Sequence, residues 1–312
     1  MGDWVVRAMR LDEAEQAHAS YDDRHRHACG REFPLTVHRM REQFSGPDRI
    51  PELDLTTVEL DGQPVAHNVV YARAPYTEVV AFPAVAVDLS AADADRAMRL
   101  LVDRLELAAR ARVGDGGEGK HALAVELFDG ETDLAATLTA LGFRLARRAF
   151  EMEMELPREL AAPVPPPGVT LRRWDSARDR DGVVSVLVAA FRDHHGDAGN
   201  EESSAHFLDR DDIRDDQTFV AEDDQGPVGV VVSLDRGDTG YVSSLGVLRR
   251  GRGRGVGRAL LLAALAGFVA DGLARAALDV DAENLTGATR LYESVGMRPV
   301  VVYALWLRPL AR

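Results

Sequence analysis

The stretch PRELAAPVPPPG, residues 157–168, constrains this chain more than any other. Each proline fixes its own φ and lacks an N–H donor, so neither a helix nor a central strand can run through the segment. A chain of 312 residues is also long for one hydrophobic core and comfortable for two. The expected organisation is a domain over 1–156, a linker over 157–167 stiffened by Pro165, Pro166 and Pro167, and a second domain over 168–312.

The halves repeat an order of elements. WVVRAMRLDEAEQA opens the first and GVTLRRWDSARDRDGV the second; each reads as a short strand, then an aspartate (Asp12, Asp175) placed to cap a helix. ALGFRLARRAFEMEMEL and SVGMRPVVVYALWLRPL each read as a helix end, a glycine stop and a strand of β-formers. That order predicts a duplicated domain rather than a solenoid.

In the second half, VTLRRW predicts a strand and DRDGVVSVLVAAF a helix. TFVAEDD and GPVGVVVSLD predict a hairpin about Asp224-Gln225-Gly226, with YVSSLGV the next strand. A helix follows over about 257–271, then a strand ARAALDVDAEN, a helix TGATRLYESVG, and VVVYALWL closing the same domain. Strands interleaved with helices define a mixed α/β arrangement.

Composition narrows the function. With a net charge of −14 the chain is a poor general nucleic-acid binder, because attraction to phosphate supplies most of such affinity. The single cysteine, Cys29, cannot form an intramolecular disulfide or a cysteine metal cluster, which fits a reducing cytoplasm. No apolar run approaches the ~20 residues that span a bilayer, and no metal site is expected.

Against that acidity, LRRGRGRGVGRALL at 248–261 concentrates arginine and glycine between a strand and a helix. The free N–H groups of a first helical turn bind anions, glycine lets the backbone approach them, and Arg252 and Arg254 can add charge-assisted contacts. The loop lacks the lysine and serine or threonine of a nucleoside-triphosphate loop, having Arg258 and Ala259 there. It also follows several strands rather than the first of a dinucleotide fold.

The run Arg252-Gly253-Arg254-Gly255-Val256-Gly257 resembles the acyl-CoA motif Q/R-x-x-G-x-G/A of the GNAT acetyltransferase superfamily. Asn284, then Leu291-Tyr292-Glu293 and Gly296-Met297, resemble its later segment in the correct order. The resemblance covers most of 168–308 and implies an α/β fold of two tandem GNAT-like domains, each a mixed, mostly antiparallel sheet flanked by helices. The organisation resembles the tandem two-domain type, similar to mycothiol synthase and related double-domain acetyltransferases. The first half looks like a degenerate copy: VAFPAVAVDLSAADADRAMRLL has a strand and a helix but no glycines, and Asp88, Asp93 and Asp95 sit where phosphate would bind.

The resemblance implies transfer of an acetyl group from acetyl-CoA to a primary amine of a small molecule by direct attack on the thioester. It assigns the cofactor to Leu245, Gly246 and Val247 of the pre-loop strand, to residues 252–258 (Arg252, Gly253, Arg254, Gly255, Val256, Gly257, Arg258) and to Asn284. It makes Tyr292 the general acid for the leaving thiolate, a suitable task for a phenol. Taken singly, Tyr292 is a helix packing residue, Asn284 a cap, and Leu245 and Val247 core strand residues; only their register with the loop raises them. The glutamate that mycothiol synthase carries near the start of the pre-loop strand is Tyr241 here, with Asp238 three residues earlier. Tyr241, Asp193 and His194 are therefore the base or acceptor-side candidates, with His195 alongside. The acidic residues from Asp193 to Asp216 read as a solvated face that would also draw in a cationic acceptor. Two other readings remain: an acyl-CoA-binding sensor without turnover, and nucleic-acid binding through RGRGRG, which the acidity and the absence of interleaved aromatics disfavour.

Overall fold

The computed structural model describes residues 2–45, 49–72, 76–113, 121–160, 163–192, 201–282 and 287–310. Two compact units result, Met1–Ala149 with Val301–Arg312, and Phe150–Val300.

The first unit contains β1 (Trp4–Ala8), α1 (Ala14–Cys29), α2 (Val37–Phe44), α3 (Pro51–Asp54), β2 (Leu55–Leu60), β3 (Gln63–Ala72), β4 (Glu78–Val85), α4 (Ala91–Val113), β5 (Ala122–Phe128), α5 (Thr132–Ala140) and the start of β6 (Arg144–Glu155). Neighbouring strands run β1-β2-β3-β4-β5. All are antiparallel except β4 and β5, which α4 joins in parallel. Ala97, Leu101, Leu105 and Ala108 recur at helical spacing, so one face of α4 buries itself on Val58, Val70, Leu123 and Val125. On the other face, Tyr21, Met40 and Phe44 of α1 and α2 pack on Leu55, Val69 and Ala84.

The second unit repeats this order with β7 (Thr170–Arg173), α6 (Ser176–Phe191), α7 (Glu201–Phe207), β8 (Phe219–Asp223), β9 (Gly226–Arg236), β10 (Thr239–Val247), α8 (Val256–Ala270), β11 (Arg275–Asp281), α9 (Ala288–Glu293) and the start of β12 (Arg298–Pro309). Again the strands joined by the long helix, β10 and β11, are parallel, while β7–β8, β8–β9 and β9–β10 are antiparallel. Helix α8 is apolar almost all round and seats Leu260, Leu261, Leu265 and Phe268 against Val231, Val242 and Leu278. It lies so close that a Cβ on Gly240 would meet the Phe268 ring at 2.3 Å. Across the sheet, Val183, Val186 and Leu187 of α6 cover Val220, Val230 and Val232.

The hairpin about Asp224-Gln225-Gly226 forms as expected, and Asp175 caps α6 by accepting from the amides of Ala177 and Arg178. Asp12 does not cap α1. It lies in a short 3-10 turn, and Glu13 instead accepts from the Arg10 amide while pairing with Arg7.

The larger difference is in the last strand of each repeat. VVVYALWL does not close the second domain. From Val301 onward β12 belongs to the first unit, pairing antiparallel with β5 from Tyr303↔Phe128 to Pro309↔Ala122. Conversely, β6 from Phe150 belongs to the second unit, beside β11. A parallel β-α-β crossover leaves an open edge on β5 and β11, and either terminal strand can fill either edge. The proline-rich segment also sits within the second unit: Leu156 and Leu160 pack on its core, and the Pro167 carbonyl accepts from Arg254.

His67 of β3 is buried, and burial pushes its pKa down to about 4, while Nδ1 meets the Thr57 hydroxyl at 3.2 Å. A folded pKa below the unfolded value of about 6.5 stabilises above pH 6.5 and is lost as the pH falls toward 4. The shift corresponds to about 3 kcal/mol. His67→Gln is expected to flatten the dependence of the urea midpoint on pH over that window, which pH-resolved denaturation measures.

Candidate active site

Within the second unit, β10 and β11 begin side by side and then part. Their register runs from Thr239↔Arg275 to Val242↔Leu278 and stops there. A bulge between Val242 and Ser244 shifts β10 against β9, and from Ser244 to Val247 β10 is paired with β9 alone. A bulge bends the strand and adds twist, so the two strands open into a fork. Leu245, Gly246 and Val247, expected on the cofactor, lie on the open arm. Leu245 and Val247 face the α8 core, while a Cβ on Gly246 would meet that of Ala190 at 3.1 Å on the α6 side.

The arm leads into the glycine loop. Gly253 and Gly255 take φ of +73° and +91°, which L side chains rarely adopt, and both face open space. Gly255 is the N-cap of α8, and no side chain caps the helix. Among the described residues, the amides of Gly253, Gly255, Val256, Gly257 and Arg258 have no hydrogen-bond acceptor. Amides left without an acceptor at the positive end of a helix dipole form an anion site, and their spread along one turn suits a diphosphate.

The arginines divide differently from the expectation. Arg252 turns inward, donating from Nε to the Val247 carbonyl and from a terminal nitrogen to that of Ala190, each at 3.1 Å. It therefore ties the loop to the arm and to the end of α6. Arg254 donates to the Pro167 carbonyl at 3.2 Å and lies 3.9 Å from Asp223. Arg258, on the first turn of α8, is exposed and has no partner among the described residues.

Tyr292 is buried on α9 among the residues that pack on α8. Burial alone pushes its pKa up to about 12, and among the described residues its hydroxyl has no hydrogen-bond partner. A phenol that keeps its proton at neutral pH can donate it.

Tyr241 is placed differently from a base. Its hydroxyl donates to Asp279 Oδ2 at 2.6 Å, and the Arg236 guanidinium lies 3.3 Å over its ring centre. Burial, and then the Asp279 carboxylate, push its pKa up. A phenol that holds its proton this firmly is a poor base. Asp238, at the far end of β10, pairs with Arg275. Asp193, His194, His195 and Asn284 lie outside the described residues. In the acidic segment, Asp209, Asp212 and Asp216 pair with Arg180, Arg210 and Arg214, which neutralises much of the field expected there.

The same positions in the first unit are built otherwise. β4 and β5 also part, after Ala81↔Val125, but β4 pairs with β3 without a bulge. Pro83 stands on the open arm without an N–H, and the Phe82 carbonyl accepts from the Tyr21 hydroxyl. At the start of α4, the Ser90 hydroxyl takes the Asp93 amide and donates to the Asp93 carboxylate, so the helix caps itself. Asp95 is held by Arg99 and Thr137.

This geometry accompanies a clear family relationship. Residues 182–297 match the acetyltransferase (GNAT) family. A mycothiol acetyltransferase of Thermobispora bispora is 32% identical over 202 residues, 62% of this chain and 67% of that protein. Other mycothiol acetyltransferases match over about half of their own length. A GCN5-related N-acetyltransferase from Sphaerobacter thermophilus superposes with a TM-score of 0.82 over 99% of this chain and 96% of its own, at 22% identity. A tandem GNAT protein from the clavulanic acid biosynthesis pathway gives 0.69 over 99% of each chain at 13% identity. At those identities the two structures speak for the fold. The chain belongs to the GNAT acetyltransferase family. Its architecture is the tandem type, with relatives among the mycothiol acetyltransferases.

Proposed function

We propose that the protein transfers an acetyl group from acetyl-CoA to a primary amine of a small molecule, and that the second unit carries out the chemistry. The observation that carries this reading is the uncapped N-terminus of α8, whose first amides lack an acceptor among the described residues, at the end of a strand that has parted from its neighbour. The amides from Gly253 to Arg258 hold the diphosphate, and Arg258 adds the charge that Arg252 and Arg254 spend on the protein. The backbone of Leu245 to Val247 binds the amide-bearing arm along the fork, and Asn284 is assigned there by motif. Acetyl-CoA supplies an activated carbonyl, and Tyr292 supplies the proton that the departing thiolate needs. In the first unit, Pro83 and the self-capped α4 remove the corresponding donors, so it serves as a degenerate copy.

The relatives' name suggests an amine related to mycothiol chemistry. Tyr241 in place of the glutamate of mycothiol synthase argues for a different amine acceptor. Cys29 is the single cysteine of the sequence and its thiol donates to the His25 carbonyl, in keeping with a cytoplasmic protein. Among the described residues, no helix is long and apolar enough to cross a membrane. The same tyrosine supports the second reading, an acyl-CoA sensor without turnover.

Thiol release from acetyl-CoA, followed with glucosamine, spermidine, tyramine and an aminoglycoside, separates the two. The transferase reading expects at least one amine to raise the rate well above hydrolysis. Tight coenzyme A binding with no turnover on any amine would favour the sensor.

A further inference from the structure

The mechanism above lacks a group that takes the proton of the incoming ammonium, and the expected position, Tyr241, is a poor base. The strand alternation supplies another. On β11, Ala276, Leu278 and Val280 face the α8 core, and Ala277 packs with Tyr241 on the opposite side. Side chains alternate along a strand, so Asp279 and Asp281 share the face of Tyr241. That is also the face on which Gly246 meets α6, away from the helix whose N-terminus takes the diphosphate. The last parallel pair is Val242↔Leu278, which makes Asp279 the first β11 residue beyond the fork.

We propose that Asp279 is the catalytic carboxylate that binds the acceptor ammonium and removes its proton, with Tyr241 as the positioning residue that aims it. This rests on the acetyltransferase reading. One oxygen of Asp279 is fixed by Tyr241 at 2.6 Å; the other has no partner among the described residues, and the side chain is exposed. A carboxylate anchored at one oxygen and open at the other is oriented without being spent. The charged and titratable groups around the pair are Arg236 over the Tyr241 ring, Glu151, which acts on Tyr241 electrostatically, and Asp281. The family position that lost its carboxylate on β10 thus keeps a tyrosine that holds a carboxylate on the adjacent strand.

The proton and bond inventory closes. The ammonium gives one proton to Asp279, which passes it to solvent. The amine nitrogen bonds to the acetyl carbon, and the carbon–sulfur bond breaks with its electron pair on sulfur. Tyr292 protonates that sulfur and is reprotonated through solvent by the second proton of the nitrogen. The products are the N-acetyl amine, the free thiol and one proton.

The test compares the full-length protein with Asp279→Asn, which keeps the size and the Tyr241 contact, and with Tyr241→Phe. The readouts are coenzyme A affinity, thiol release with the same amine panel, and binding of each amine to the coenzyme A-saturated protein. Asp279→Asn is expected to lower kcat/KM by about 10²–10⁴-fold at pH 7, to leave coenzyme A affinity unchanged, and to recover rate as rising pH neutralises the amine itself. Tyr241→Phe is expected to lose less, about tenfold, with the same pH shape as the parent. An Asp279→Asn enzyme with the rate and pH profile of the parent overturns this assignment while the acetyltransferase reading stands. A parent that binds coenzyme A but neither turns over nor binds any amine overturns both.

Discussion

Replacing Gly257 with aspartate is expected to weaken coenzyme A binding by at least about a hundredfold without harming the fold. Gly257 has no left-handed φ, and a Cβ there would meet Leu291 Cδ2 at 3.5 Å and Val247 Cγ2 at 3.6 Å, ordinary contact distances. It also lies in the first turn of α8, where a carboxylate interacts favourably with the helix dipole by about 0.3–1 kcal/mol. The substitution should therefore hold or slightly raise Tm. The new carboxylate competes for the amides that a diphosphate would use and repels it. Losing two charge-assisted hydrogen bonds costs about 3 kcal/mol or more, which is about a hundredfold. Opposite signs on stability and affinity distinguish a binding loop from a merely structural turn. Gly255 is the poorer place for this experiment, because its φ of +91° would add strain of its own. Calorimetric titration with coenzyme A alongside thermal melting measures both effects.

Tyr292→Phe is expected to lower kcat by about 10²–10⁴-fold with coenzyme A affinity retained. The same change should leave stability nearly unchanged, since the hydroxyl it removes has no hydrogen-bond partner among the described residues. Because burial holds this phenol near pKa 12, the parent should show no alkaline loss of kcat from Tyr292 between pH 7 and 10. Single-turnover thiol release over that range checks it. A variant that loses stability and keeps its rate would make Tyr292 a packing residue.

Much of the fold was legible because it is local. The hairpin at 224–226, the Asp175 cap and the strand–loop–helix about Gly255 each follow from neighbouring residues. The duplication was readable as an order of elements, which the two units share. The exchange of β6 and β12 was not. Both strands carry the same alternating pattern, and the choice between the edges of β5 and β11 depends on contacts far away in sequence.

The site divided along the same line. Glycines needed for their backbone announced themselves, because left-handed conformations leave few alternatives. Side-chain direction did not. Arg252 was expected on phosphate and instead holds two carbonyls, while Arg258 is exposed and has no partner among the described residues. Tyr241 stood out only as a departure from a family pattern, and nothing local in the sequence joins it to Asp279. The signal for it was present in AALDVDA, where apolar residues at 276, 278 and 280 alternate with aspartates at 279 and 281. Likewise Pro83, an ordinary strand interruption in the sequence, becomes informative once β4 is seen to part from β5.

The account turns on where the diphosphate of coenzyme A binds, and a crystal structure with the coenzyme tests this most directly. Its phosphate oxygens should lie about 3 Å from the amides between Gly253 and Arg258, with the sulfur end reaching Tyr292. A diphosphate found at the start of α4, or an α8 N-terminus left empty at saturating coenzyme, would contradict it.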